Sequence, residues 1–380
     1  MIVKKAKYKC FRNLSDVTLK FSPGVNVLWG MNAQGKSNLL EGLYYFARGR
    51  SFRGVKDRDL VMFGEQTALC EIEFNLDVSP YPVKLSAAIP QNGKKKLYRN
   101  GAQLRGSAEM LGLFRAVLFC PSHLTLVGGG PAERRTFLDI AIAQSSRSYV
   151  YYLSNYRRFL AERNALLKRR ATGGKVSDAE WETYAEQISI AAAEIYEERS
   201  RYCEELTADV AGYFREMTGG RETPSLVYSS HMDDFAESET PADVKRETRD
   251  GLYEKLTTNI ERECAVGSTL WGPHKDDIHI SLNGKEARFF ASQGQQRSIA
   301  LSMKLAEGEI SCRKTGEYPI FLLDDVFSEL DESRRRFIMD SLKGRQIIVT
   351  SCEPSVVPDT NKISDISFYN VSEGNIKSEE

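Results

Sequence analysis

The stretch Gly30–Ser37, GMNAQGKS, fits G-x-x-x-x-G-K-S without a mismatch. It constrains the fold more than any other stretch, because a phosphate-binding loop of this pattern needs a strand before it and a helix after it. Val25-Asn26-Val27-Leu28-Trp29 is short, apolar and β-prone, and Asn38 to Phe46 places Leu39, Leu40 and Leu43 on one helical face. Gly30 and Gly35 let the backbone turn so that successive N–H groups point at phosphate oxygens, and Met31, Asn32, Ala33 and Gln34 complete the loop. The helix start adds partial positive charge. Lys36 is expected to reach the β- and γ-phosphates and the Ser37 hydroxyl to ligate Mg²⁺.

A buried-type strand ending in carboxylates supplies the other half of such a site, and Ile320-Phe321-Leu322-Leu323-Asp324-Asp325 has that form. Asp324 is expected at the Mg²⁺, through water, and Asp325 is expected to polarise the attacking water as general base. Asp331 lies in a polar turn before a helix over 332–342, and a further strand over 346–350 ends at Thr350-Ser351. Ser292-Gln293-Gly294-Gln295 opens another helix, where a hydroxyl, a glycine N–H and a helix N-terminus make a second anion site. It lies roughly 250 residues from the P-loop, far longer than one simple P-loop unit. Ser292, Gly294 and Gln295 are therefore expected to serve a neighbouring subunit's nucleotide.

The remaining chain supplies context. At 380 residues it exceeds one simple core and suits about two domains. Lys plus Arg and Asp plus Glu number 52 each, so net charge neither supports nor excludes nucleic acid, and a local basic patch has to do that work. The seven cysteines are scattered without a C-x-x-C, as for reduced thiols in a cytosol, and metal-ligand spacing is absent. MIVKKAKYKCF has no apolar core for a signal peptide, and no apolar run approaches the ~18 residues of a membrane span. A cytoplasmic protein without a membrane partner is expected.

Strands are expected at 2–8, 16–21, within 67–90, and at 116–119, 225–230, 268–271 and 278–282. Phe11-Arg12-Asn13 reads as an ordinary connection, while Gly49–Gly54 reads equally as a phosphate contact or a solvated loop. Residues 131–170 are helical in pattern, Ala171–Gly174 breaks it, and a second helix from Ser177 carries Trp181, Tyr184, Ile188, Ala192 and Ile195 as its stripe. The two form an antiparallel hairpin. Arg134, Arg135, Arg147, Arg157, Arg158, Arg163, Lys168, Arg169 and Arg170 cluster there, either as a salt-bridged helical pair or as a DNA-facing edge. Met232–Thr240 reads as an acidic loop and 241–263 as a helix. Gly272-Pro273-His274-Lys275-Asp276-Asp277 reads as a tight polar loop or one facing a nucleotide.

The ordered set GMNAQGKS, SQGQQ, FLLDD and SELD resembles the ABC-type ATPase heads of the SMC and DNA-repair class. Within that class it is similar to the RecF family of bacterial recombination mediators. FRN at Phe11, GKSNLLE at Gly35, SFR at Ser51, RRTFLD at Arg134, GPHKDD at Gly272 and SQGQQRSIALSMKLAE at Ser292 extend the likeness end to end. The resemblance implies an α/β fold, an ABC-type P-loop ATPase head with an inserted helical arm. Its parts would be 1–130 and 265–380 for the head and 131–264 for the arm.

The resemblance further implies two chains dimerising head to tail around two ATPs. Lys36 and Ser37 of one chain, with Asn13 nearby, hold the nucleotide and Mg²⁺. Ser292, Gly294 and Gln295 of the other close on the γ-phosphate, and Asp331 crosses the interface. It implies a slow DNA-dependent ATPase that binds double-stranded DNA and single/double-strand junctions, and that helps RecR and RecO place RecA on single-stranded DNA. Two departures stand out. Pro121-Ser122-His123-Leu124 lacks the family's acidic residue, and Lys275 stands where an Arg is usual, which removes a bidentate contact. Other ATPases of this motif set are a transporter's nucleotide-binding subunit, which needs a membrane partner, and an OLD-like ATPase, which needs a toprim segment.

Overall fold

The computed structural model describes residues 1–236, 238, 240–358 and 365–379. Strands β1 (Ile2–Phe11), β2 (Leu14–Lys20) and β3 (Val25–Trp29) lead to helix α1 (Lys36–Arg48). Strands β4 (Thr67–Leu76), β5 (Ser79–Pro90), β6 (Lys96–Arg99) and β7 (Ala102–Leu104) follow, then the one-turn helix α2 (Ser107–Met110) and strand β8 (Ala116–Phe119). Helices α3 (Pro131–Ala143), α4 (Arg147–Ala171) and α5 (Asp178–Thr218) come next. Strand β9 (Pro224–Ser229), helices α6 (Pro241–Thr258) and α7 (Ile260–Val266), strands β10 (Asp277–Leu282) and β11 (Lys285–Glu286) and the short helix α8 (Ala287–Phe290) precede α9 (Gln293–Thr315). The chain closes with β12 (Ile320–Asp324), α10 (Glu332–Ser341), β13 (Ile347–Ser351), β14 (Ile366–Ser372) and β15 (Asn375–Glu379).

The chain divides into two compact units, one of Met1–Val127, Asp209–Thr223 and Ser292–Glu380, the other of Gly128–Ala208 and Pro224–Ala291. Residues 265–291, read from the sequence with the C-terminal part of the head, thus cluster with the helical unit. Residues 209–223, read as arm, cluster with the head.

In the first unit the described strands form two sheets, ordered β2-β1-β4-β5-β6-β7 and β15-β14-β3-β13-β12-β8. The second of these is parallel from β14 to β8, with β15 antiparallel at its edge. Its central strands, VNVLW, IIVTS, IFLLD and AVLF, are almost continuously buried, the pattern of a parallel sheet covered on both faces. Val27, Phe119, Leu301, Leu323, Ile338 and Val349 share one apolar core there. Opposed Cα pairs Thr350–Asp324 and Ser351–Trp29 bring the ends of β3, β13 and β12 to one edge of the sheet. In open α/β sheets, that carboxyl-end edge is where ligands bind.

In the second unit β9, β10 and β11 form a small antiparallel sheet. Helices α4 and α5 make the expected hairpin, with Leu166, Leu167, Trp181 and Cys264 in one cluster. Three corrections arise here. The helical run 131–170 is broken at 144–146, because the Ser146 hydroxyl accepts the Tyr149 N–H at 3.2 Å and starts α4 afresh. Residues 268–271 form no strand: the Thr269 N–H goes to Asn164 Oδ1 at 2.8 Å and the Leu270 N–H to Glu263 Oε1 at 2.8 Å, so side chains take the donors a ladder would use. The helix over 241–263 is likewise divided at Asn259.

Candidate nucleotide site

The P-loop curls because two of its positions tolerate no side chain. Gly30 has φ 153°, and a Cβ there would lie 2.2 Å from the Val371 carbonyl oxygen. Gly35 has φ 112°, and its Cβ would lie 2.8 Å from Asn13 Oδ1. Ala33 also takes a positive φ, 64°. Gln34 is held from outside the loop, its Oε1 accepting the Glu373 N–H at 2.6 Å and its carbonyl the Gly374 N–H at 3.0 Å. Asn32 Oδ1 accepts from Cys352 Sγ at 3.1 Å, and the Met31 side chain is exposed.

Lys36 begins α1 and folds back, its Nζ donating to the Gly30 carbonyl at 2.5 Å and the Met31 carbonyl at 2.7 Å. It is 6% exposed, and among the described residues it forms no ion pair with a carboxylate. A buried ammonium whose hydrogen bonds go only to carbonyls gains from an anion. A phosphate fits that need. The cavity beside it holds about 340 Å³ and is lined by Asn13, Asn32, Ala33, Gln34, Gly35, Lys36, Ser37, Asn38, Arg53 and Asp325.

The carboxylates reach the same sheet edge through strand register. Thr350 Oγ1 donates to Asp324 Oδ1 at 3.0 Å and accepts the Asp325 N–H at 2.9 Å. Asp325 is left-handed, φ 49° and ψ 20°, which turns the chain out of β12, and its carbonyl accepts from Ser328 Oγ at 2.6 Å. Burial pushes its carboxyl above the ordinary range, with Lys36 opposing and Asp324 adding to the rise. Asp324 is 7% exposed and does not line the cavity, whereas Ser37 and Asp325 do. The hydroxyl of Ser37 and the carboxylate of Asp324 are hard oxygen donors of the kind Mg²⁺ takes.

The expected second anion site, at Ser292–Gln295, lies elsewhere in this unit. Ser292 caps α9, its Oγ accepting the Gln295 N–H at 3.2 Å while Gln295 Oε1 accepts the Ser292 N–H at 2.6 Å. Gln295 Nε2 donates to Glu222 at 2.6 Å. Arg334 ties this turn to Asp331: it donates to the Gly294 carbonyl at 3.2 Å and Ser298 Oγ at 3.0 Å, and pairs with the Asp331 carboxylate. Asp331 in turn caps α10 by accepting the Arg334 N–H at 2.9 Å. Ser292, Gly294, Gln295 and Asp331 are absent from the lining of the P-loop cavity.

Several contributors escaped the motif reading. Glu41 of α1 is fully buried and gathers Arg12 (2.8 and 2.9 Å), Ser51 Oγ and Arg53 (3.8 Å), so FRN and SFR converge on the P-loop helix. Asn38 donates to Asn13 Oδ1 at 2.8 Å and accepts from Arg53 at 2.9 Å. Asn38 and Glu41 lie within GKSNLLE, and Arg12, Ser51 and Arg53 within FRN and SFR, so the resemblance marks these stretches without giving their roles. Thr350 and Arg334 carry no such signal. His123 bonds the Leu118 carbonyl at 2.9 Å through Nδ1, and burial, with Lys304 nearby, lowers its pKa to about 3.

The helical unit shows what two of these stretches bond to. GPHKDD is a polar loop bound to its own unit's arginines. Asp277 takes Arg134 in two bonds at 2.7 and 2.8 Å, and Asp276 takes Ser230 Oγ at 2.6 Å, the Tyr228 hydroxyl and Arg199 at 3.4 Å. His274 accepts or donates to the Tyr156 hydroxyl at 2.6 Å, and burial lowers its pKa to about 4. Lys275 is exposed. Of the basic cluster, Arg134, Arg157, Arg163, Arg169 and Arg170 are in ion pairs, with Asp277, Asp139, Glu263, Glu180 and Glu261 respectively.

Among the described residues no helix is long and apolar enough to cross a membrane. Residues 2–374 match the family model described as RecF/RecN/SMC N terminal domain. The chain is 34% identical over 377 residues to the DNA replication and repair protein RecF of Lachnoclostridium phytofermentans, covering 99% of each. It is 37% identical over 345 residues to the RecF of Ligilactobacillus salivarius, covering 91% of this chain and 89% of that one. A solved structure described as the recombination mediator protein RecF-ATPrS in the RecFOR pathway superposes with a TM-score of 0.89 at 33% identity, over 100% of this chain and 98% of that one. The Smc head domain from Pyrococcus furiosus shares the fold, with a TM-score of 0.57 at 18% identity, over 100% of this chain and 96% of that one. An ABC-type head with its P-loop, acidic strand end and capped SQGQQ helix, matched along its whole length, makes this chain a member of the RecF/RecN/SMC N-terminal domain family and, within it, of the RecF proteins.

Proposed function

We propose that the chain is an ATP-dependent DNA-binding protein of recombinational repair and replication-fork restart. It acts in the cytoplasm as a head-to-tail dimer with slow, DNA-stimulated ATPase activity. With RecR- and RecO-like partners it helps load RecA at single-strand gaps. One observation carries the dimer. Ser292, Gly294 and Gln295, with Asp331 tied to the same turn through Arg334, lie outside the P-loop cavity of their own chain, so a second copy is needed to use both halves.

When bound, ATP supplies the phosphoanhydride to be cleaved and Mg²⁺ the cation that neutralises it. The backbone N–H groups of Gly30–Gly35 receive phosphate oxygens. Lys36 exchanges its two carbonyl partners for the β- and γ-phosphates, and Ser37, with Asp324 through water, would hold the ion. Asp325, set by Thr350 and facing the cavity, takes the proton of the attacking water. Asn13 and Asn38, bonded to each other, line the cavity beside Gly35. Ser292, Gly294 and Gln295 of the second copy close on the γ-phosphate. Their arrival excludes water and completes the donors.

The test is the mass of Asp325→Asn with ATP and Mg²⁺, with and without duplex DNA. The substitution keeps size and removes the proton acceptor, so a closed dimer of two 42.8 kDa chains is expected to accumulate and to bind duplex more tightly than the monomer. A monomer under every condition would sink the shared site.

A further inference from the structure

Helix α4 presents one face that the fold leaves unused. Counting from Arg147 in steps of three and four, Tyr151, Ser154, Arg158, Ala161 and Ala165 follow on the same side. All are exposed, Tyr151 to 63%, and Lys168 and Arg169 extend the face at its end. Among the described residues Arg147, Arg158 and Lys168 form no ion pair with a carboxylate, although the rest of the helix's basic residues do. Glu180 holds Arg169 at the end of the face at 2.8 Å, and Glu162 on its flank is engaged by the Tyr184 hydroxyl. Small residues at 154, 161 and 165 keep the surface between the cations low.

Helix stability does not account for this pattern. Arg147 occupies the first turn, where a cation opposes the helix dipole, and that turn holds no acid. Its charge and the dipole add to one positive field. The face from Arg147 to Arg169 is about 33 Å long at about 1.5 Å per residue. One turn of duplex DNA is about 34 Å. The chain as a whole is neutral, so attraction for a polyanion has to be local.

We infer that this face of α4 is a docking surface for the phosphate backbone of duplex DNA, through Arg147, Arg158 and Lys168, with the Tyr151 ring laid against the sugar-phosphate edge. The inference rests on the proposed DNA-binding function and adds where the DNA lies. Contacts of this kind position the duplex without reading its sequence.

The experiment compares full-length chain and the triple variant Arg147→Ala/Arg158→Ala/Lys168→Ala with ATP and Mg²⁺, binding a labelled 30-base-pair duplex over a salt series. Each lost phosphate contact lowers the slope of log K against log salt by about 0.9, so a fall of about 2 to 3 is expected, with affinity down about ten- to a hundredfold. Glu162→Lys is expected to raise the slope and tighten binding. A triple variant that melts like wild type and binds duplex with the same slope overturns the assignment, whether or not the face then binds an acidic protein instead. If wild-type chain with ATP fails to bind duplex, the proposed function falls, and this surface with it.

Discussion

Thr350 links the Asp324 carboxylate to the Asp325 backbone through one hydroxyl, accepting from the Asp325 N–H and donating to Asp324 Oδ1. Valine has the same shape and neither bond. Thr350→Val would leave a part-buried N–H unpaired, which costs about 1–3 kcal/mol. Urea melts should show that loss, and ATP hydrolysis should fall while nucleotide affinity holds, because Asp325 loses its anchor and Lys36 does not. Thr350→Ser should recover both. A valine variant as stable and as active as wild type would show that the hydroxyl is dispensable. The sequence announced Gly30, Gly35, Lys36 and Ser37 plainly, since their chemistry depends on spacing within one turn of chain. Thr350 depends on a register, Asp324 opposite Thr350 across neighbouring strands. Arg334 depends on the approach of α10 to α9. Neither relation leaves a local pattern to read.

Helix α9 is capped by the residue that the function also needs. Ser292 and Gln295 form a reciprocal capping box, so a substitution there mixes stability with nucleotide contact. Aspartate separates the two. It is as good an N-cap as serine, so Ser292→Asp should melt within about 0.5 kcal/mol of wild type. Its charge would face the incoming γ-phosphate, and the ATP-dependent dimer should be lost in light scattering. A dimer that forms normally would reduce Ser292 to a cap. The helix opening at Ser292 was legible, as were β3, β8, β12 and β13 of the parallel sheet, whereas β14 beside β3 was not. Two of the misread elements share one cause: side chains outcompeted the periodic pattern for backbone donors. Ser146 restarted a helix within an unbroken stripe, and Asn164 and Glu263 captured the N–H groups of Thr269 and Leu270.

At the scale of the whole molecule, the division into two units was the least legible feature. Residues 209–218 lie in the same 41-residue helix as 178–208, and no turn residue or change of period marks the boundary. Every residue assigned to nucleotide chemistry belongs to the first unit, yet they form two separate surfaces, the P-loop cavity and the Ser292–Asp331 cap. Hydrogen exchange can tell these surfaces apart. ATP bound to a single chain should slow exchange at Gly30–Asn38 and at Asp324–Asp325, and should stabilise that unit by about 2.7 kcal/mol at a hundredfold excess over Kd. It should leave Ser292–Arg297 and Asp331 unprotected, because one chain cannot bring its own cap to its own cavity. Raising the protein concentration, in the Asp325→Asn variant so that the nucleotide survives, should then protect the cap with a midpoint that follows dimer formation. Lys36→Ala should abolish both responses. Protection of both surfaces at once, independent of concentration, would mean that ATP reaches the cap within one chain, and the two-copy site would have to be abandoned.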